Sequence, residues 1–452
     1  MNGNILCAGY GRRSITPPFS VPLSGFGMTH KRMSDHVLSE LYASCIAFSY
    51  GDEKLLLYTQ DMVHTNAQWT AEVRSRIRES MGVPEDRVLI CATHTHSGPD
   101  MESPLPCIAQ YKELYLDAMV ETAREALEDL APARILGTST VTEGMAYVRH
   151  YTAADGSIQG IGKPNTAPIV GHVCDSDQQL RVIKLERQEE PSILMVNFQV
   201  HPTAHGGSTR KDISSDFIGT LRDYMEASTQ MHFAYFTGAA GNQTIGSKLL
   251  KENENMDANL RKKIGLYNPL IYGWYLGQYI TKALARLEEL PCDGIYTQRV
   301  YFEQPVNHDD EHLYDVACKV RQIFAGDDPD ARAKATAYGK EHGISTVFHA
   351  GAIRARKNRP QTQKLELNAV RIGQLAFVTF PYETFGATGV YVKSNSPLPM
   401  TLVFSVANEH WSYTPTREAY EFGCYESSIS YFAKGTAEAC AEKLVDMLRS
   451  LQ

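Results

Sequence analysis

Between residues 43 and 92 the chain spells two kinds of strand pairing in one stretch, and this limits the fold more than any other feature. Two short apolar runs, 43–49 and 54–58, are split only by the turn Gly51-Asp52-Glu53. So short a connection leaves no room for a crossover, so the two runs form an antiparallel hairpin. Residues 69–81 then carry apolar side chains at helical spacing, and Gly82 with Pro84 stops them before the next apolar run at 87–92. Strand, helix, strand is a β-α-β unit, whose strands pair in parallel. The class that satisfies both is α/β, with mixed β-sheets flanked by helices.

The same pattern continues along the chain. Residues 109–130 predict a long amphipathic helix with Leu114, Met119, Ala123 and Leu127 near one face, and 134–137 returns to strand. Residues 140–180 are rich in glycine, proline and polar side chains, with a turn at Ala154-Asp155-Gly156-Ser157 and a loop over 160–166. The apolar run at 193–200 ends at His201-Pro202, because proline cannot extend a central ladder. Ser214-Ser215-Asp216 predicts the cap of a helix reaching about residue 227. A strand at 233–236 leads into a glycine-rich stretch, and helices are expected near 270–289 and 330–342. Residues 364–380 read as two strands around Arg371-Ile372-Gly373-Gln374, the second ending in Pro381-Tyr382-Glu383, and a last helix covers about 435–450. No linker or internal repeat divides residues 1–452, which predicts a single domain.

Composition removes several classes of function. The 52 acidic and 44 basic side chains are interspersed and leave a net charge of -8, so no cationic stripe exists to follow a phosphate backbone and nucleic acid is not an expected partner. No apolar run is long enough to span a bilayer, and Met1-Asn2-Gly3-Asn4-Ile5-Leu6 lacks a basic, then apolar, leader pattern. Nine dispersed cysteines without a Cys-x-x-Cys pair read as free thiols, so the expectation is a cytoplasmic protein without stable membrane insertion. The glycine-rich 237–246 stretch lacks both the Gly-Lys-Ser/Thr ending and the dinucleotide spacing, so no nucleotide cofactor is expected. No pattern specifies an oligomeric state.

Candidate chemistry sits where strands end. In Ala92-Thr93-His94-Thr95-His96-Ser97-Gly98-Pro99 the two histidines are two apart and share a face of an extended segment. His201 and Glu383 stand at two further strand ends. Imidazole and carboxylate are ligands that zinc accepts in catalytic sites, where an open position holds a water of pKa roughly 7. Satisfied core histidines and a surface carboxylate remain the alternatives at this point. Asp61 is either a partner that orients a ligand histidine or a simple cap.

Several longer motifs carry a resemblance. They are Ala8-Gly9-Tyr10-Gly11-Arg12, Leu23-Ser24-Gly25-Phe26-Gly27, the 92–99 segment, Val196-Asn197-Phe198-Gln199-Val200-His201-Pro202-Thr203, Gly238-Ala239-Ala240-Gly241-Asn242, Pro381-Tyr382-Glu383-Thr384 and Val406-Ala407-Asn408 leading to Tyr413 and Tyr425-Glu426. In these the chain resembles the catalytic N-terminal domain of the neutral/alkaline ceramidase family over almost its whole length. The resemblance implies zinc held by His94, His201, Glu383 and Tyr413, with His96 and Arg149 contacting substrate beside the metal.

One departure falls inside that pattern. Where ceramidases carry Gly-Asp-x-Ser-Pro-Asn, this chain reads Gly241-Asn242-Gln243-Thr244-Ile245-Gly246, so Thr244 takes the place of the serine. Threonine keeps a hydroxyl but its methyl crowds the position. The family's additional C-terminal domain and secretion signal are not seen in the sequence, which favours a soluble polar small molecule over ceramide. The expected activity is zinc-dependent hydrolysis of an amide, with His96, Arg149 and Thr244 as catalytic residues. An ester, a lactone, a modified-sugar bond, and a metal-stabilised binding protein without catalysis are the alternatives.

Overall fold

The computed structural model describes residues 5–26, 32–161, 163, 167–205, 207, 209–249, 268–326, 328 and 330–452. Gly27 of the Leu23 to Gly27 motif, residues 1–4, and residues 162 and 164–166 of the expected 160–166 loop lie outside the described residues.

The larger sheet orders its strands His232–Thr237, Ile193–Phe198, Gln179–Arg187, Ala131–Val141, Leu6–Ser14, Tyr42–Tyr50, Glu53–Gln60 and Val88–Ala92. The predicted hairpin is present, with Ala43 opposite Gln60 and Tyr50 opposite Glu53. The predicted parallel pair is present too, with Leu56 opposite Val88 and Gln60 opposite Ala92. The other edge holds a second parallel pair, Ile193–Phe198 with His232–Thr237. A smaller sheet runs Ile295–Pro305, Thr362–Ile372, Leu375–Thr379 and Met400–Phe404, its last two strands parallel.

Period two explains how the layers stack. Leu6, Ala8 and Tyr10, Ile46 and Phe48, and Leu55 and Leu57 point into a core shared with Val370, Ile372, Leu375, Phe377, Leu402 and Phe404 of the smaller sheet. Ala43, Cys45, Ala47, Leu56 and Tyr58 point the other way, under the helices Ala67–Met81 and Pro106–Glu128. The helices Asp216–Thr229 and Pro269–Leu284 cover the other half of that face, and Thr436–Ser450 covers the outside of the smaller sheet. Strands buried on both faces lose their polar alternation, which is why they read as near-continuous apolar runs.

The larger sheet curls until its edge strands meet. Thr59 Oγ1 donates to the carbonyl of Tyr235 at 2.5 Å, and Thr237 Oγ1 donates to the carbonyl of Thr93 at 2.6 Å.

Several expectations need correction. Of the predicted face of the long helix, Met119 and Ala123 are buried and Leu127 packs against the core, but Leu114 is 47 % exposed, and Ile108, Tyr111, Tyr115 and Leu116 are buried in addition. Ser215 makes no side-chain cap; Asp216 takes φ +58° and its carboxylate accepts from the amides of Phe217, Ala204 and His205. The helix Pro269–Leu284 stops short of residue 289, because Glu288–Glu289 pairs with Ala131–Val141. Part of the 140–180 stretch is a small sheet of Ile169–His172, Tyr151–Ala153 and Ile158–Gln159, with the predicted turn between the last two. Leu6–Ser14 is a strand that sequence reading passes over, because Gly9 and Gly11 demote it. A Cβ at Gly9 would lie 2.1 Å from the Ala126 carbonyl oxygen, so glycine is what lets the long helix lie on the sheet.

A buried ion pair ties the helix Ala67–Met81 to the smaller sheet. The Arg74 guanidinium donates to both oxygens of Glu366 at 2.8 and 2.9 Å, and Asn408 and Asn368 donate to the same carboxylate. Burial pushes the Glu366 carboxyl up, yet the hydrogen bonds and charge of Arg74 outweigh it and leave it below the usual range. A depressed carboxyl stabilises the fold above its unfolded pKa of roughly 4.3, and that contribution is lost as pH falls through the lower folded value. Arg74→Ala leaves Glu366 buried without its counter-charge, and the expected loss is about 3–5 kcal/mol. Urea denaturation at pH 7 checks this, and the deficit should shrink at pH values that protonate Glu366.

Candidate metal centre

The sheet geometry concentrates chain reversals at one end of the structure. Val88–Ala92, Ile193–Phe198, His232–Thr237, Leu375–Thr379 and Met400–Phe404 all belong to parallel pairs, and the segments leaving their carboxyl ends carry the groups of the site. Crevices at the carboxyl ends of parallel strands are the usual place for a ligand in α/β folds. His94 follows the first of these strands and His201 the second. Because the sheet curls, these strands, one at an edge and one next to the opposite edge, bring their imidazoles to 4.8 Å between centroids.

Glu383 and Tyr413 arrive together. Glu383–Thr384 and Tyr413–Thr414 form a parallel pair in which Glu383 stands opposite Tyr413. Glu383 Oε2 lies 3.1 Å from His94 Nε2 and 2.9 Å from His201 Nε2, and Tyr413 Oη is 3.3 Å from His201 Nε2. The structure thus brings together all four residues that the resemblance named as ligands.

The outer ring nitrogens fix which way the lone pairs point. His94 Nδ1 faces the Val63 carbonyl, and His201 Nδ1 faces the carbonyls of Ala240 at 2.8 Å and Gln243 at 3.1 Å. A nitrogen facing carbonyl oxygens must carry the proton, which leaves the Nε2 lone pairs directed inward. Burial, then the nearby Arg149, lower the His201 pKa to about 4, so its ring is neutral at pH 7. Burial opposes ionisation of Glu383, but the adjacent His94, His201 and His410 outweigh it and hold the carboxyl well below its usual range. Two imidazole lone pairs and a carboxylate oxygen therefore converge, and their mutual repulsion is relieved by a cation between them. This donor set fits a divalent metal ion.

His96 and Arg149 lie on the open side. His96 Nε2 is 3.4 Å from His94 Nε2, so it too can reach an ion shared by His94 and His201. His96, Arg149, His201, Thr244 and Tyr413 line a cavity of about 570 Å³, whereas His94 and Glu383 sit behind its wall. Arg149 donates from Nε to Glu426 at 2.6 Å and from Nη2 to the Gly241 carbonyl at 2.8 Å, and its Nη1 is 3.4 Å from His201 Nε2. Glu426 is fully buried and also meets His150 Nε2 at 2.8 Å. Thr244 pairs with Tyr147 and bridges to His201 through the backbone.

Other sequence readings land elsewhere. Asp61 does not orient a site histidine: it receives Arg222 Nη2 at 2.7 Å and the Tyr42 amide at 3.0 Å, and the Val63 carbonyl takes the orienting role for His94. Asn242 turns away from the cavity and accepts the Gly386 amide at 2.9 Å, at the start of the helix Gly386–Asn395. The carbonyls of Val63 and Ala240 were invisible to sequence reasoning, since any residue type supplies a carbonyl. Glu426 had a weak signal, an acid beside Tyr425 in a family-like motif.

An α/β fold with paired sheets, helices outside and a His/Glu/Tyr cluster at the strand ends defines the class of architecture. Solved structures share it. Over 100 % of this chain and 75 % of its own, neutral ceramidase from Pseudomonas aeruginosa superposes with a TM-score of 0.74 at 18 % identity. A ceramidase complexed with C2 superposes with a TM-score of 0.72 at 16 % identity, covering 99 % of this chain and 75 % of its own. The chain therefore has the neutral ceramidase fold. No protein-family model and no curated protein sequence matches it.

Gly241 gives the site a test that leaves every candidate ligand residue unsubstituted. A Cβ there would lie 2.5 Å from the Glu383 carbonyl oxygen and 2.9 Å from that of Thr384. Gly241→Ala is expected to displace Glu383, lower divalent-metal affinity by about 10–100-fold and destabilise the protein by about 1–3 kcal/mol. Competition with a chromophoric chelator and a urea titration measure the two effects.

Proposed function

We propose that this protein is a zinc-dependent amide hydrolase acting on a soluble N-acyl compound, with residues 1–452 as one catalytic domain. The observation that carries the reading is the convergence of the two inward Nε2 lone pairs on the Glu383 carboxylate, at 2.9 and 3.1 Å, at the edge of a cavity. His94, His201, Glu383 and Tyr413 would hold the ion. Bound zinc supplies a Lewis acid that polarises an acyl oxygen and brings the pKa of a water to roughly 7.

The remaining steps belong to the side chains lining the cavity. Burial, then the neighbouring His94 and His201, keep His96 well below the usual histidine range, so it enters the reaction neutral. A neutral imidazole accepts the proton of the attacking water and returns it to the leaving amine. Arg149 is fixed by Glu426 and Gly241, so its Nη1 edge, held 3.4 Å from His201 Nε2, is placed for the oxyanion that develops on the acyl group. Thr244 offers its hydroxyl to the attacked centre from the cavity wall.

The nine cysteines are all unpaired, which supports a reducing compartment and hence a cytoplasmic enzyme. No helix among the described residues is long and apolar enough to cross a membrane.

Elemental analysis should find about one zinc per chain and none in His94→Ala or His201→Ala, with amide cleavage lost alongside. Zinc-free wild-type protein that still cleaves amides would overturn the reading. Thr244→Val should lower kcat by roughly 10²-fold with KM little changed, as removal of one oxyanion donor does. Turnover near the wild-type value would remove Thr244 from the mechanism.

A further inference from the structure

The cavity changes character from floor to rim. Tyr413, at the floor, meets the Tyr425 ring edge-on at 6.1 Å, and Tyr425 meets Phe348 edge-on at 5.9 Å. The Arg332 guanidinium lies over Phe348 at 5.6 Å. Across the opening, the Lys248 ammonium lies over Tyr151 at 5.6 Å. Two elements distant in sequence thus place an exposed cation on an aromatic wall at the same mouth, one following the Thr244 loop and one from the helix Ala331–Glu341.

Among the described residues, neither cation is neutralised: those that line the cavity include no aspartate or glutamate, and no carboxylate forms an ion pair with Lys248 or Arg332. The third cation of the lining, Arg149, differs because Glu426 cancels its charge. Field lines from uncompensated charges concentrate in a concave, low-dielectric opening, where a pair of like charges is worth more than each would be on a convex surface. An uncharged substrate would gain nothing from this arrangement.

We infer that the substrate is an N-acyl compound with an anionic group, carboxylate or phosphate, at the end remote from the scissile amide. Lys248 and Arg332 hold that anion while an apolar segment follows Tyr425 and Phe348 down to the metal centre. The position of the amide rests on the proposed hydrolase reading, whereas the anion site rests on the rim alone. Aromatic walls suit an apolar spacer, and rim cations suit a group that keeps contact with water.

Three matched probes test the inference: 8-acetamidooctanoate, its neutral primary carboxamide, and 8-acetamidooctyl phosphate. Their binding is measured by isothermal titration to the His201→Ala protein, in which turnover does not consume them, with and without the pair Lys248→Gln and Arg332→Gln. Both rim side chains are exposed, so the double variant keeps its core. One or both anionic probes should bind at least tenfold more tightly than the carboxamide, and the advantage should vanish in the rim variant while carboxamide binding stays unchanged. The anion with the larger advantage identifies the source. Equal affinity for charged and neutral probes, or an advantage that survives in the rim variant, would overturn the inference. Hydrolysis of the same probes by the wild type is read separately, so failure to cleave any amide would count against the hydrolase reading and leave the anion site standing.

Discussion

Everything at the candidate centre depends on the larger sheet closing on itself. His94 leaves the strand at one edge of that sheet and His201 the strand next to the other edge, and in a flat arrangement of the same strands they would be separated by nearly its full width. The hydrogen bonds from Thr59 to Tyr235 and from Thr237 to Thr93 are where the edges meet. Twist accumulated across the strands turns this into a curl, and the smaller sheet fills the interior with Phe377, Leu402 and Phe404. Once the edges touch, the carboxyl ends of parallel pairs from both sheets open onto one crevice, and the side chains that follow them have little choice of direction.

Orientation within the crevice comes from the backbone. The carbonyls of Val63 and Ala240 fix the histidine tautomers, and the Gly241 carbonyl helps to fix Arg149. Val63 lies three residues beyond the strand Glu53–Gln60, and Ala240 and Gly241 three and four beyond His232–Thr237, so the same geometry that collects the side chains also aims them. His94 itself takes φ +72°, a conformation with a steric penalty for a residue with a Cβ. Its amide is held by the Met62 carbonyl at 2.9 Å, which keeps the ring in place despite that penalty.

The sequence made the buried strands legible because both their faces are covered, so Ala43 to Phe48 and Ile193 to Phe198 are apolar but for Ser44 and Asn197. It also marked the ends where His94, His201 and Glu383 stand, since a turn or proline follows the first two and Pro381 ends the strand before the third. Tyr413 had no such signal, and only the resemblance pointed to it; its place follows from pairing with Glu383, which no local pattern encodes. Gly9 and Gly11 hid the central strand Leu6–Ser14 for a packing reason, the helix lying against them. The rim cations were equally hidden, because a lysine and an arginine look like any solvated charges until the fold sets them at one cavity mouth with no carboxylate among the described residues that line it.

The wide spacing of the centre along the chain has a consequence for how the protein folds. His201 and Tyr413 are 212 residues apart, and Glu383 is 182 residues from His201. No local segment can assemble these donors, so the centre exists only after the long-range pairings of both sheets have formed, a slow class of event. An ion that recognises only the assembled donors acts on the folding equilibrium of the entire chain, by mass action, and has no means of organising one part of it early. Metal occupancy in such a protein is a report on global folding.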